Sequence, residues 1–511
     1  MNIIDKAITV ISPERGLKRL AARKALKVFN TGYSNHGASK GKKSLLGWIA
    51  RGGTPDQDIT DNLEVLRERS RDLFMGAPLA TGALKTYRTN VVGAGLYLNS
   101  QIDAEFLGLD EADQWERTAE REFNLWAKTC DASRMMDFYE QQALAFLAML
   151  MSGDVFVALP LINRPGDLYD LKIALIEADR VNNPPGVNNP NIRGGIEVDQ
   201  WGAPTTYYVA QKHPLDMTQG KIEWKPVPAF GSKTGRRNIL HLLEMERPGQ
   251  RRGVPVLAPV IESLKQLSRY SEAELAAAVV SSMFTVFITS NSPDQPLGEG
   301  IPYDQQVDTG DDNSYELGSG AIIALGPGEE VKETNPSRPN TAFDGFVTSM
   351  CRQIGAALEI PHELLIKHFT ASYSASRAAL LEAWKSFRMR RAWMVSKFCQ
   401  PIYEEFLFEA VARGRIEAPG FFDDPAIREA YCGAEWNGPS QGQLDPLKEV
   451  NAAKIRVQES FSTRAREAAE LTGSDFERTV RQRIKEERVM REGGLLSAES
   501  KKTLLDNQGS D

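Results

Sequence analysis

The sequence predicts an α+β fold in which long amphipathic helices flank a smaller β-rich unit. Three observations predict it. Apolar residues recur at spacings of three and four in residues 254–282, 343–359 and 376–412, the period of a helix with one buried face. Residues 154–250 instead hold short apolar runs at 155–158, 171–176, 205–210 and 222–224, parted by turns such as Asn182-Asn183-Pro184-Pro185-Gly186, the pattern of short strands. Residues 291–320 carry seven Asp/Glu and no Lys/Arg, with Gly and Pro throughout, which reads as an exposed, mobile loop.

The elements follow in order. Residues 1–55 are rich in Gly, Ser, Lys and Asn after a short amphipathic stretch (Leu17, Leu20, Ala21, Ala25, Val28) and read as a mostly flexible arm. Residues 58–89 are helical in pattern, broken at Gly76-Ala77-Pro78, and further helices fall near 111–128 and 139–151. After the β-rich unit comes a helix over 254–282, striped by Val256, Val260, Leu264 and Leu267 and opened by Pro255 and Pro259. Strands at 283–289 and 321–325 bracket the acidic loop. The next helix, 343–359, carries Phe343, Val347, Met350, Ile354 and Leu358 on one side and stops at Pro361. A loop leads to the longest helix, 376–412, in which Pro401 predicts a kink. Ser374 or Ser376 is the candidate cap of that helix. Residues 444–492 are helical and highly charged, with a capping box at Ser474-Asp475-Phe476-Glu477.

Composition bounds the chemistry. The 511 residues are 41% hydrophobic and 25% charged, ordinary for a globular chain of about three domains. The longest apolar run, 275–289, is shorter than the roughly 18–20 residues that span a bilayer. Residues 1–10 carry Asp5 and Lys6 and lack a signal-peptide core, so the expectation is a cytosolic product without membrane contact. Cys130, Cys351, Cys399 and Cys432 are scattered and read as buried thiols rather than zinc ligands or disulfides. Net charge is −7, unevenly placed: residues 1–51 hold 11 Lys/Arg against 2 Asp/Glu, the remainder 50 against 66. An acidic body argues against tight, static DNA binding. The basic arm is a candidate for nucleic acid, for an acidic protein, or for a solvated tail.

No enzyme is legible. Gly37-Ala38-Ser39-Lys40-Gly41 matches GxSxG but lacks the apolar strand a nucleophile elbow needs. Gly41-Lys42-Lys43-Ser44 resembles the end of a phosphate loop, but position 36 is His where the first Gly belongs. Asp308, Asp311 and Asp312 read as solvated carboxylates, and His362 with His368 lacks ligand partners. No cofactor and no metal are expected.

Three stretches resemble the lambda-type portal family of tailed phages. They are Leu66-Arg67-Glu68-Arg69-Ser70-Arg71-Asp72-Leu73, continuing to Asn90-Val91-Val92-Gly93-Ala94-Gly95-Leu96; Leu325-Gly326-Pro327-Gly328-Glu329-Glu330, with the Phe343 helix and Ile360-Pro361; and Tyr373-Ser374-Ala375-Ser376-Arg377-Ala378-Ala379. Glu435-Trp436 and Asp445-Pro446-Leu447-Lys448-Glu449-Val450 add to the likeness. Their joint order, over about residues 60–455, carries the resemblance.

The resemblance implies a portal fold: a basic arm (1–57), a mixed α/β wing (58–253), a first stem helix (254–282), an α/β clip (283–340), a second stem helix (341–360), a tunnel loop (361–375), a long kinked helix with further wing (376–439), a helical crown (440–495) and a flexible tail (496–511). It implies a dodecameric homo-oligomeric ring at a capsid vertex of the virion, assembled in the host cytoplasm, for viral genome packaging, ejection and head–tail attachment. Expected partners are the terminase large subunit, the major capsid protein, head–tail adaptor proteins, and double-stranded DNA that passes through without tight binding. Lys367, His368, Ser372 and Tyr373 fall in the tunnel loop. Arg377, Lys385, Arg388 and Arg391 are candidates for intersubunit or DNA contacts. Two other classes stand beside this reading: an ATPase or nuclease, and a capsid or tail protein that forms no channel.

Overall fold

A computed structural model of the chain describes residues 8, 10–29, 43–45, 52–216, 222–282, 286–289, 322–325, 343–369, 372–443, 445–493 and 495. The chain divides into two units, Met1–Thr54 and Pro55–Asp511. In the first unit, helix α1 spans Pro13–Phe29, so part of the arm expected to be mostly flexible is helical.

The second unit runs through α2 (Leu63–Gly76), α3 (Pro78–Val91), β1 (Tyr97–Ser100), α4 (Ala112–Ala127), α5 (Phe138–Ser152), β2 (Asp154–Ala158), β3 (Ala174–Glu177), β4 (Ile192–Arg193), β5 (Ile196–Val198), β6 (Pro204–Ala210), β7 (Trp224–Pro228) and β8 (Ile239–Leu243). It continues with α6 (Ile261–Ser282), β9 (Val286–Thr289), β10 (Ile322–Leu325), α7 (Phe343–Ala357), α8 (His362–Ile366), α9 (Tyr373–Met394), a π-helical stretch Val395–Cys399, α10 (Gln400–Ala412), α11 (Pro425–Tyr431), β11 (Ala434–Asn437), α12 (Pro446–Gln458), α13 (Arg464–Thr472) and α14 (Phe476–Glu492). Helices dominate and strands lie in small separate sheets, as the α+β reading expects.

Local chemistry explains the breaks. Pro78 at the start of α3 cannot continue α2, because it lacks an N–H. Asp137 caps α5 and Glu140 reaches back in a capping box, which the sequence reading passed over. The box assigned to Ser474 is a correction: Asp475 is the cap, accepting from Arg478 N, while the Ser474 hydroxyl pairs with that of Thr472. The helix expected from residue 254 starts later, Pro259 lying in a 3-10 turn ahead of α6. The interruption expected at Pro401 lies before it, in the π-helical stretch 395–399, a register insertion of the kind that bends helices.

β2 is central in the order β3-β2-β8. It is buried along most of its length, which fits its unbroken apolar run. The second sheet has the order β4-β5-β6-β7. Pro226 and Pro228 sit in β7, at its edge, where a missing N–H is tolerated. β1 pairs antiparallel with β11, Ser100 opposite Ala434. β9 and β10 pair in parallel, Val286 opposite Ile322. The acidic loop 291–320 lies outside the described residues.

The main core joins α2–α5, the start of α6, α7, α9 and α10. Phe123 is its hub, meeting Phe138, Tyr403, Phe406 and Trp436 edge-on at centroid distances of 5.2, 5.7, 5.3 and 5.8 Å, the geometry favoured by ring quadrupoles. A smaller core between the sheets is built from Phe156, Ile176, Val181, Ile196, Tyr207 and Ile239. All four cysteines are free and buried, as expected.

Candidate DNA-channel segment

α7 ends in a reversal. Glu359 adopts a left-handed φ of 54°, and Ile360 N donates to Gly355 O at 2.9 Å, which closes the helix end. A Cβ at position 355 would collide with the Ile360 carbonyl oxygen, so only glycine admits this turn. Leu358, Ile360 and Leu365 are buried in the main core. The segment expected as a continuous loop therefore contains helix α8, pinned by three apolar side chains.

Lys367 caps α8 with a φ of 54°, a conformation that costs a lysine about 1 kcal/mol or more. His368 N donates to Glu363 O at 2.9 Å. Lys367, His368 and Phe369 are exposed, so the fold holds the backbone and presents these side chains outward. Ser372 is the N-cap residue of α9, with no side-chain cap hydrogen bond. Tyr373 is the first residue of α9. Ser374 and Ser376, expected as caps, lie inside that helix, which begins earlier than its apolar stripe.

The basic run on α9 divides. Arg377 meets Glu449 at 3.5 Å and Arg388 meets Glu470 at 3.6 Å, loosely tying α9 to α12 and α13. Lys385 pairs along its own helix with Glu382 at 2.6 Å. Arg391 bonds within its own chain. Its Nε donates to Val91 O at 3.0 Å and its Nη2 to Asn90 O and Pro439 O, each at 2.8 Å. Burial, then the Arg388 charge, lowers its pKa to about 10. Arg390 is also buried, 4.5 Å over the Tyr87 ring.

The sequence reading missed a buried charge network. Burial opposes ionisation of Asp154, yet the Arg252 and Arg67 guanidiniums hold its carboxyl well below the usual range. Arg252 Nε donates to it at 2.6 Å, Arg67 Nη2 at 2.9 Å and Gly253 N at 3.1 Å, and His241 Nε2 lies 3.2 Å away. Arg252 also donates to the carbonyls of Val181, Gly194 and Ala178. The network joins α2, both sheets and the approach to α6. Its one sequence signal was an Asp opening an otherwise apolar strand. Glu177, Asp179 and His213 converge nearby, but Arg71 pairs with both carboxylates and Arg67 with Asp179. Those guanidiniums supply the positive charge a cation would bring. Among the described residues, no helix is long and apolar enough to cross a membrane.

The model of the phage portal protein, lambda family, matches residues 41–391. The chain belongs to that family. Portal protein of Escherichia phage N15 is 26% identical over 489 residues, 91% of each chain. Portal protein B of Escherichia phage lambda is 25% identical over 489 residues, again 91% of each. A probable portal protein of Halomonas phage phiHAP-1 is 23% identical over 427 residues, 80% of this chain and 78% of that one. Among solved structures, a chain from the virion of a native gene transfer agent particle is 12% identical, with a TM-score of 0.40 over 81% of this chain and 94% of that one. A chain from the neck of the native particle, computed with C12 symmetry, is 13% identical, with a TM-score of 0.39 over 81% and 94%. The family match spans the Arg67 stretch, α8 and α9 as far as Arg391, and so takes in the three stretches whose joint order carried the resemblance.

Proposed function

We propose that this chain is the subunit of a closed ring, a dodecamer, that forms the DNA channel at one capsid vertex and serves genome packaging, ejection and head–tail attachment. The family match over residues 41–391 carries this reading. Apolar side chains exposed on the long helices support it: Leu275 and Val279 on α6, Phe346 on α7, and Leu381 and Met389 on α9. Such faces await a neighbouring subunit in a symmetric assembly. The test is native mass spectrometry with negative-stain imaging. The expected result is one ring size with a central channel; a stable monomer at micromolar concentration would falsify the proposal.

In this reading α6 and α7 are the stem, β9 and β10 the base of the clip, α8 to the start of α9 the tunnel loop, and α12–α14 the crown. The clip faces outward, toward the terminase large subunit during packaging and head–tail adaptor proteins afterward; the wing meets the major capsid protein. Lys367 and His368 point to the duplex and make weak, salt-sensitive phosphate contacts. The strained backbone at Lys367 supports this assignment: glycine would sit there without cost, so a lysine is kept for its side chain. Arg377, Lys385 and Arg388 serve contacts within the ring or with DNA. The chain is a non-enzymatic member of the packaging machine, and purified ring with ATP–Mg²⁺ and plasmid DNA is expected to show neither turnover nor nicking.

A further inference from the structure

We infer that helix α1 is an interfacial anchor that lies on bilayers containing anionic phospholipid. The inference is independent of the channel reading. α1 spans Pro13–Phe29 and carries six Lys/Arg against one acidic residue, Glu14, itself paired with Lys18 at 3.7 Å. Positions 15, 19, 23 and 27 are Arg, Arg, Arg and Lys. Residues four apart are neighbours on a helix, so these positions form one row of like charge, which by itself opposes helix formation. A negative counter-surface turns that repulsion into attraction.

Positions 17, 21, 24 and 28, which are Leu, Ala, Lys and Val, form a second row on the opposite side of the helix, apolar but for its one lysine. Leu17 is 68% exposed, and Val10 and Ile11, just ahead of the helix, are 83% and 84% exposed. Phosphate backbones need only the charged row. A bilayer interface uses both, because the apolar row enters the acyl boundary while the cations meet acidic headgroups. The exposed apolar residues therefore favour lipid over nucleic acid. The geometry differs from a span: the helix lies in the plane of the surface, which the shortage of long apolar helices does not exclude.

The test is co-sedimentation of the assembled full-length protein with vesicles of phosphatidylethanolamine and phosphatidylglycerol, and with vesicles of phosphatidylcholine alone. Binding is expected only to the anionic vesicles, weakening as salt rises. Arg15→Gln, Arg19→Gln, Arg23→Gln and Lys27→Gln together, and separately Leu17→Asp with Val28→Asp, are each expected to weaken it about tenfold or more. Mass photometry checks that the variants still assemble as the wild type does; if the apolar variant does not, Leu17→Ser with Val28→Ser takes its place. A wild-type protein that stays in the supernatant overturns the inference. So does an assembled apolar variant that binds as tightly as wild type. Retention of duplex DNA, lost on charge removal but indifferent to the apolar pair, would assign the helix to nucleic acid and likewise overturn it.

Discussion

At residue scale, the most consequential group is Asp154. It is fully buried and satisfied by two guanidiniums, an imidazole and a backbone N–H. Removing it leaves Arg252 charged and buried without a counter-ion, and Arg67 with Asp179 alone, 3.3 Å away. Asp154→Ala is therefore expected to destabilise the subunit by about 3–5 kcal/mol, read by denaturant unfolding at fixed protein concentration. The same cluster sets a pH dependence. Burial lowers the pKa of His241 from 6.5 despite the nearby Asp154. As pH falls through that value, the unfolded chain binds a proton that the folded chain refuses, so stability drops. Asp154, whose folded pKa is depressed, adds a second loss as pH falls below the ordinary aspartate value of 3.8. His241→Gln is expected to flatten the decline that sets in as pH falls below about 6.5 while leaving the Asp154 phase intact. An unchanged slope would rule out His241 as its source. None of this was legible in the sequence, because Arg67, Asp154, His241 and Arg252 are brought together only by the fold.

At the scale of elements, the long helices were readable because their apolar stripes run for many turns and one face is buried. Short strands such as β4, β5, β8 and β11 were not, since runs of two to five residues give periodicity too little length. Helix starts also escaped, as Asp137 and Asp475 are visible as caps only once the first turn is known. The segment after α7 shows the limit best. Its position was legible from Pro361 and the serines, but α8 is five residues long and held by tertiary packing. Gly355→Ala is expected to cost about 1–3 kcal/mol through the collision with the Ile360 carbonyl, seen as a lower midpoint of thermal unfolding. Lys367→Gly, by contrast, is expected to leave stability equal or slightly higher, because it relieves a left-handed lysine. Lys367→Ala with His368→Ala should preserve assembly yet alter packaging rate or DNA retention. Wild-type packaging by that double variant would mean the two side chains are merely solvated.

At the scale of the whole molecule, charge and assembly work together. An acidic body repels phosphate, which suits a channel wall that must let DNA slide rather than hold it. The family motifs announced the fold; the apolar side chains left exposed on α6, α7 and α9 were legible as stripes wider than one chain can cover. β9 and β10 run in parallel and in register, so the end of β9 at Thr289 and the start of β10 at Ile322 lie at opposite ends of the ribbon. The connection between them must pass back along the whole pair before the chain rejoins it. Closure entropy grows only with the logarithm of length, so doubling that connection costs roughly 0.6 kcal/mol. Length can therefore be added or removed there cheaply while the ribbon keeps its register.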